Sequence, residues 1–532
     1  MMRSRDPLGN ETVVEAVDYR VLQARRIRDP NGNRSEVAFD ILGQVVGTAV
    51  MGKAAPAPVE GDTLDGFVTD PPRDALDALF GSEQPHAAAA LLLAGASTRI
   101  VHDLDRFQRT RAAHPHDPAQ WQPPCSAALA REVHVAGPEL KGEPPIQLSF
   151  SYFDGFGREI QKKREAESGA GFGARTQEQP GRRWVASGWI VFNNKGKPVR
   201  QFEPFFSAGP RYEPGTRAGV SPVLFYDPLG RVVATLQPND SYEKIVYRAW
   251  EQVSFDANDS CLLDPRRDPD IATQVAPYFA TLPGSWESWY AQRSDGRQGE
   301  RERLAAARAA AHAGTPTATC LDPLGRTFLT LTRNRVVCPG HPADGRTETF
   351  HPDRTRPPRP PAGLRDPSGQ ALAVPGRTAM RFAYDLMGNR VRSTGIDAGT
   401  RWILPDCGGL PMRAWDSRGH VVTTGYDALR RPLLQSVRGE GPGADPRTRG
   451  RELVVDRIEY GEGLADAGKL NLRTRIYRHM DTAGVATNAG LDAEGPALAG
   501  LRLQGQPAAQ DAAPAGRLQG YPGLACGAGA GG

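Results

Sequence analysis

Hydrophobic and polar residues along this chain are ordered mostly with a period of two. Arg231-Val232-Val233-Ala234-Thr235-Leu236 alternates in this way, and similar runs fill Ile146 to Lys163, Trp184 to Phe206 and Val223 to Trp250. Such runs predict strands with one face toward a core. Between them stands a repeated punctuation, Asp-x-x-Gly followed by Arg, Asn, Lys or Gln and preceded in most copies by an apolar residue. Its clearest copies begin at Asp6, Asp29, Asp40, Asp154, Asp227, Asp322 and Asp385.

The residue types explain the punctuation. The Asp side chain bonds a backbone N–H two residues on, Pro at the second position (Pro7, Pro30, Pro228, Pro323) pre-sets φ, and Gly at the fourth takes a positive φ. This is a three-residue hairpin loop with a Gly bulge, so each copy predicts strand, tight turn, strand. Asp29 and Asp40, like Asp416 and Asp427, lie eleven residues apart and leave room for one strand of ordinary length. The fold class predicted is mainly β, a long antiparallel sheet with small helical insertions.

Weaker copies extend the series. Asn193-Asn194-Lys195-Gly196 keeps a side-chain acceptor and Asp416-Ser417-Arg418-Gly419 keeps Asp and Gly; Asp427-Ala428-Leu429-Arg430 has lost the Gly, and Asp492-Ala493-Glu494-Gly495 is fading. One copy alone is an ordinary surface turn. The series argues an architecture rather than a catalytic site.

Four stretches break the pattern. Pro72 to Ala96 reads as helical, with Ala87 to Ala96 too short to span a bilayer and therefore a buried helix, and the Ala-rich stretch Gly299 to His312 is helical too. Arg354 to Pro361 reads as a solvated polyproline-like loop, and the Ala/Gly/Pro/Gln-rich end from Gly505 as unfolded. Thr98 to Phe107 alternates as a strand, and a Pro-rich loop runs from Pro115 to Pro124.

Composition fits a turn-rich β assembly. The 532 residues exceed one ordinary core, hydrophobic residues are 39%, and 59 Gly with 46 Pro make up about a fifth of the chain. Basic and acidic residues number 65 and 61, a net charge of +4, with no basic stripe to bind nucleic acid. Six cysteines are scattered without Cys-x-x-Cys or a close Cys/His set, which disfavours a disulfide scaffold or a zinc finger. Met1 to Asn10 is turn sequence, not a signal peptide, and no run is long enough for direct membrane insertion.

Candidate chemistry is thin. His114, His116 and Asp117 offer two imidazoles and a carboxylate in a Pro-rich loop without a third ligand at metal spacing. Asp103 and Asp105 would share one strand face, closer than paired glycosidase acids, and read as a charged outer face with His102 opposite. Cys320, with Asp322 and His341, reads as a packed small side chain before a turn. No Gly-x-Ser-x-Gly elbow or phosphate loop is present. No catalytic, cofactor-binding or metal-ligating residue is assigned, and the chain is expected not to be an enzyme.

The wording between copies carries a family resemblance. The segments Asp29 to Asp40, Ser149 to Lys163, Phe192 to Phe206 and Leu470 to Tyr477 resemble the middle region of the B component of Tc (toxin complex) insecticidal toxins, with SpvB/TcB-like wording, and the punctuation resembles the RHS/YD repeat. The resemblance spans most of residues 1–500. It implies a hollow, cocoon-like β shell, completed by a C component with an RHS core, that encloses a cytotoxic polypeptide and passes it to a channel-forming A component. It also implies assembly in the cytoplasm and release as part of a secreted complex. The reading divides the chain into a middle/N-terminal-like region with a helical insert (1–135), a middle/C-terminal-like β region (136–345), RHS/YD repeats (346–500) and a low-complexity tail (501–532). Neither the N-terminal domain and β-propeller of such B components nor the aspartyl autoprotease of the C component is recognisable, so the chain reads as one piece of a longer shell. Two other classes stay open: an RHS/YD-repeat surface or carbohydrate-binding protein displaying Trp286, Trp289 and Tyr290, and a hydrolase on a β scaffold.

Overall fold

The computed structural model describes residues 2–54, 57, 59–136, 145–167, 183–321, 323, 325, 327–335, 347–354, 377–395, 397–439, 452–488, 490–492, 495–497 and 511–514. The chain forms two units: Met1–Trp189 with Pro204–Thr216 and Val422–Gly532, and Ile190–Glu203 with Arg217–Val421.

The first unit holds an 11-stranded sheet whose strands follow one another in chain order from Arg3–Arg5 to Arg183–Ala186, with Phe205–Ser207 added at the end. Among the described residues its strand pairs are antiparallel, and the predicted strand between Asp29 and Asp40 is Asn33–Phe39. Alternation places Cys125, Ala127 and Leu129 on one face, opposite Tyr152, Phe150 and Leu148 of the neighbouring strand. That face is roofed by the helices Arg73–Phe80 and His86–Leu93, which bury Leu79, Leu92 and Leu93 on it. Phe150 sits between the rings of Phe80 and Trp184, edge-on to both at 6.0 and 5.4 Å. Each such side chain contributes roughly 1.5–3 kcal/mol by leaving water, which makes this the strongest core of the unit.

The helical reading of Pro72 to Ala96 thus resolves into two short helices. The strand read over Thr98 to Phe107 needs correction: it is Thr98–Asp103 only, and Arg106–Ala113 is a helix. Arg106, Gln108, Arg109 and Arg111 are good helix formers, and two of them, Arg106 and Arg109, partner the carboxylates at its start. Arg99 of this strand is buried, its guanidinium donating to the carbonyls of Leu92 and Val68 and lying 4.3 Å from the Phe67 ring centroid. It fastens the helical insert to the sheet, and burial pulls its pKa down to about 10. The unit also contains Pro432–Gly439, Leu453–Tyr460, Ile476–Asp481 and Gly484–Thr487, paired antiparallel in sequence. Part of the end expected to be unfolded is a strand, Asp511–Pro514, beside Gly484–Thr487, because alternating backbone groups there complete a sheet edge.

The second unit is an antiparallel meander from Ile190–Phe192 to Pro411–Asp416. One neighbouring pair departs from the predicted antiparallel order: Thr347–Arg354 runs parallel to Arg377–Tyr384. The polyproline-like reading of Arg354 to Pro361 falls, after Arg354, outside the described residues. Between the paired strands Glu251–Phe255 and Thr317–Leu321 stands an insert with the helices Ala272–Phe279, Trp289–Ser294 and Glu300–Ala311, the last matching the predicted Ala-rich helix. Ile271 and Val275 pack against Val223, Phe225, Val233 and Leu236 of the sheet. Among the described residues no helix is long and apolar enough to cross a membrane.

Candidate functional site

The repeated turn is built as its residues dictate. In the copy at Asp227, Asp227 N–H donates to Arg231 O and Gly230 N–H to Asp227 O, at 3.0 and 2.9 Å, and the register shifts beside Tyr226 as a bulge requires. Gly230 has φ +77°, and the same sign recurs at Gly9, Gly32, Gly43, Gly157, Gly196, Gly325, Gly388 and Gly419. The Asp side chain is divided between two tasks. Oδ1 of Asp154 accepts Phe156 N–H and Arg158 N–H at 2.8 and 3.0 Å, while Oδ2 accepts Arg158 Nε at 2.6 Å. Asp385 treats Met387, Asn389 and the Asn389 amide alike, and Asp427 does the same with Leu429, Arg431 and the Arg431 guanidinium. The residue after Gly is therefore chosen as a donor that returns to the Asp. These bonds hold the carboxyls of Asp6, Asp154, Asp227, Asp385 and Asp416 below the usual carboxylate range, against the opposing effect of burial at most of them.

Two further turns were not recognised in the sequence. Asp406-Cys407-Gly408-Gly409 closes in the same manner, with Gly408 and Leu410 N–H on Asp406 Oδ1. Gln237-Pro238-Asn239-Asp240 has Asp240 at the Gly position with φ +66°, and Arg430 takes φ +61° in the copy that lost its Gly. Asp240 is held there by function rather than freedom: its carboxylate accepts Trp286 Nε1 and Gln292 Nε2, both at 2.8 Å, and its carbonyl accepts Trp289 N–H. It pins the helical insert to a hairpin.

The turns at Asp6 and Asp29 meet the loop that follows strand Leu453–Tyr460. Asn31 donates Nδ2 to Arg473 O at 3.2 Å and accepts Arg473 N–H on Oδ1 at 2.9 Å. Asn33 Nδ2 and Lys53 Nζ both donate to Asn471 Oδ1, at 2.9 and 2.7 Å. Glu462 Oε1 receives Arg431 Nη1 at 2.8 Å, Thr474 N–H at 3.0 Å and Asn10 Nδ2 at 3.4 Å. The loop is shaped for this contact. Asn471 and Thr474 hold positive φ, and a Cβ on Gly461 would stand 2.5 Å from Leu472 O. A polar clasp thus joins repeats more than four hundred residues apart in sequence.

Two lysines are buried as tethered cations. Lys163 Nζ donates to Ser207 Oγ, Gly209 O and Glu213 Oε1 at 2.9, 3.0 and 2.9 Å, and burial lowers its pKa. All three ammonium protons are satisfied, so it fastens Pro204–Thr216 to strand Glu159–Ala166 and leaves no free amine. In the second unit Lys244 Nζ binds Asp268 at 2.8 Å and Asp270 at 2.7 Å, and Tyr242 OH donates to Asp268 at 2.7 Å. A cavity of about 570 Å³ lies in that unit over Thr235, Glu243, Ser254, Asp259 and Thr315. Asp259 receives Asp256 N–H, Thr315 N–H and Thr315 OH, and burial raises its pKa.

The candidate chemical residues do not converge. Asp117 caps a short 3-10 turn through Ala119 N–H and His116 is exposed. The reading of Asp103 and Asp105 as one outer face is corrected. Asp103 is buried and receives Arg73 and Arg109 at 2.7 Å each, whereas Asp105 stands beyond the strand at the start of a helix. His102 is on the other, more open face, half-buried, with its pKa lowered by burial. Cys320 packs as expected between strands, its thiol pushed up to about 11; Asp322 and His341 lie outside the described residues. The aromatic cluster that the surface-binding alternative would display is packed: Trp286 lies edge-on to Phe279 at 4.7 Å, and Trp289 and Tyr290 pack beside Cys261, Ala309 and Ala313. Among the described residues no group of three His, Cys, Asp or Glu side chains is placed to hold a metal ion.

These turn-stitched antiparallel sheets with small helical inserts form a Tc toxin B-like fold. A TcdB2–TccC3 crystal structure matches over 93% of this chain and 21% of its own, at 20% identity and a TM-score of 0.58. The same pair without its hypervariable C-terminal region matches over 96% of this chain and 23% of its own, at 18% identity and 0.60. A Photorhabdus luminescens Tc holotoxin pore gives 96%, 23%, 19% and 0.59. This chain spans about a fifth to a quarter of the length of those chains. No family model and no curated protein matches it.

Proposed function

We propose that this protein is a shell segment of the B component of a Tc-type toxin complex. It would act with a C component to enclose a cytotoxic polypeptide, and with a channel-forming A component to deliver it from a secreted complex. The observation that carries the reading is the extent of the match: nearly the whole chain follows the path of Tc toxin chains while preserving the turn chemistry copy after copy. A shell needs a continuous wall without open backbone, and hairpins closed by their own Asp, Gly and Arg supply one from local sequence. The role asks for no turnover, and we assign none. Asp103, His116 and Cys320 serve as test positions: a screen that found hydrolysis, group transfer or redox turnover abolished at any of them would overturn that assignment.

The reading is tested by co-expression with a C component encoded in the same genome, followed by size-exclusion chromatography with light scattering. A monodisperse complex larger than either chain is expected. A C component that elutes without this chain, while this chain remains a cooperatively folded monomer, would overturn the reading.

A further inference from the structure

Two demands meet at residues 31 and 32. The turn requires Gly at its fourth position, where Gly32 holds φ +87°, and the clasp requires at the third position a side chain that both donates and accepts. An amide supplies both. The other copies carry Leu8, Leu42, Phe156, Lys195, Leu229, Met387 or Arg418 at that third position, so Asn31-Gly32 is the one Asn-Gly pair among 532 residues. Asn followed by Gly is the pair most prone to attack on its own side-chain amide, since Gly has no Cβ to shield its nitrogen. Here the pair is held away from that reaction. Asn31 is buried, its amide is bonded in both directions to Arg473, and the N–H of Gly32 is donated to Asp29 O at 3.0 Å. Asn31 N–H is fixed in turn on Asp29 Oδ1 at 2.9 Å.

We propose that Asn31-Gly32 is a modification site gated by the clasp: the asparagine is protected while the clasp is closed, deamidates once it opens, and the clasp then does not re-form. The reaction needs only water and hydroxide. Hydroxide takes the Gly32 amide proton and the nitrogen attacks Asn31 Cγ, closing a five-membered succinimide; the Cγ–Nδ2 bond breaks as Nδ2 takes up a proton and leaves as ammonia. Water then adds to one of the two ring carbonyls and opens the ring to aspartate or isoaspartate at position 31, with nothing oxidised or reduced. The first step requires Gly32 N to leave Asp29 O and the Asn31 amide to turn away from Arg473, so the closed clasp forbids it. Either product lacks Nδ2, the donor to Arg473 O, and sets a carboxylate oxygen against that carbonyl. Isoaspartate also inserts a methylene into the backbone of the turn. A reversible opening thus becomes a permanent one at a contact between residues 442 apart in sequence.

The test follows the full chain at mildly alkaline pH by peptide-mapping mass spectrometry that separates asparagine, aspartate and isoaspartate at position 31. Deamidation is expected to be at least about tenfold slower than in a free peptide of residues 27–36, a factor set by how seldom the clasp opens. Two variants loosen the loop: Gly461→Ala, whose Cβ would stand 2.5 Å from Leu472 O, and Glu462→Ala, which releases Thr474 N–H and Arg431. Each is expected to bring the rate toward that of the peptide while Ile146–Phe153 keeps its protection from hydrogen exchange. Deamidated chain, isolated by ion exchange, is expected to exchange faster than the parent within 461–475. A parent chain that deamidates as fast as the peptide would overturn the protection, and a variant whose 461–475 segment exchanges fast while Asn31 stays intact would overturn the gating. Parental exchange in the deamidated chain would overturn the irreversibility.

Discussion

Asn31 and Arg473 form a two-way hydrogen bond, the Asn amide donating to the Arg carbonyl and accepting from its N–H, 442 residues apart in sequence. An amide side chain meeting a backbone peptide in this way is a single-residue strand pairing. It lets a turn, which has no ladder of its own to offer, receive a distant loop. Because Asn31 and Asn33 are buried, the contact excludes water and cannot be exchanged without loss.

Asn31→Ala should therefore destabilise the first unit by about 1–3 kcal/mol, since two backbone groups of Arg473 lose their partner. The loss should be local first. Hydrogen exchange is expected to rise in residues 461–475 before it rises in Ile146–Phe153, and exchange that rises in both together would contradict the clasp.

The turn chemistry separates three substitutions. Gly230→Val should cost roughly 1–3 kcal/mol, because a β-branched residue is forced to positive φ, and its Cβ would also stand 3.3 Å from Lys197. Asp227→Ala should cost about 1 kcal/mol for the lost turn bonds. Arg430→Gly should stabilise by less than about 1 kcal/mol, the relief of a left-handed residue being partly offset by the freedom of Gly in the unfolded chain. Urea melts of the three variants check the order.

Acid should weaken the array. The turn carboxyls of Asp154, Asp227 and Asp416 titrate below their ordinary value of 3.8, so the unfolded chain binds protons first as pH falls. Their contribution is complete above that value and lost as pH drops through the lower folded values. Asp154→Asn, which imitates the natural copy at Asn193, should flatten the acid limb of stability against pH while leaving the turn closed. Denaturant midpoints between pH 2 and 7 measure it.

Lys163→Met should destabilise by about 1–3 kcal/mol, less than a fully buried pair, because the Glu213 it leaves is partly open to water. Protease cleavage within 204–216 should accelerate, since the lysine is what ties that segment to its strand. Unchanged cleavage would show that Tyr152, whose OH also donates to Pro210 O at 2.6 Å, holds the segment alone.

The repeats and most strands were legible because their signals are local. Asp, Gly and the returning donor lie within five residues, and period-two alternation lies within a single strand. The clasp was not legible, since nothing in Asn31 or Arg473 alone announces a partner hundreds of residues away. Asp103 misled for a related reason. As a charged residue in an alternating run it reads as outward-facing, and only the three arginines of two neighbouring helices make its burial tolerable. Asp406 and Gln237 escaped because their turns vary the residues while keeping the hydrogen bonds, and Arg430 because tertiary context imposes a φ that its type disfavours.

The central claim is that this chain is wall, and imaging the complex tests it most directly. Electron cryomicroscopy of the protein co-purified with its C component should show these antiparallel strands curving round a cavity that contains extra polypeptide density. A solid particle, or one in which the chain lies outside a shell closed by the C component alone, would contradict it.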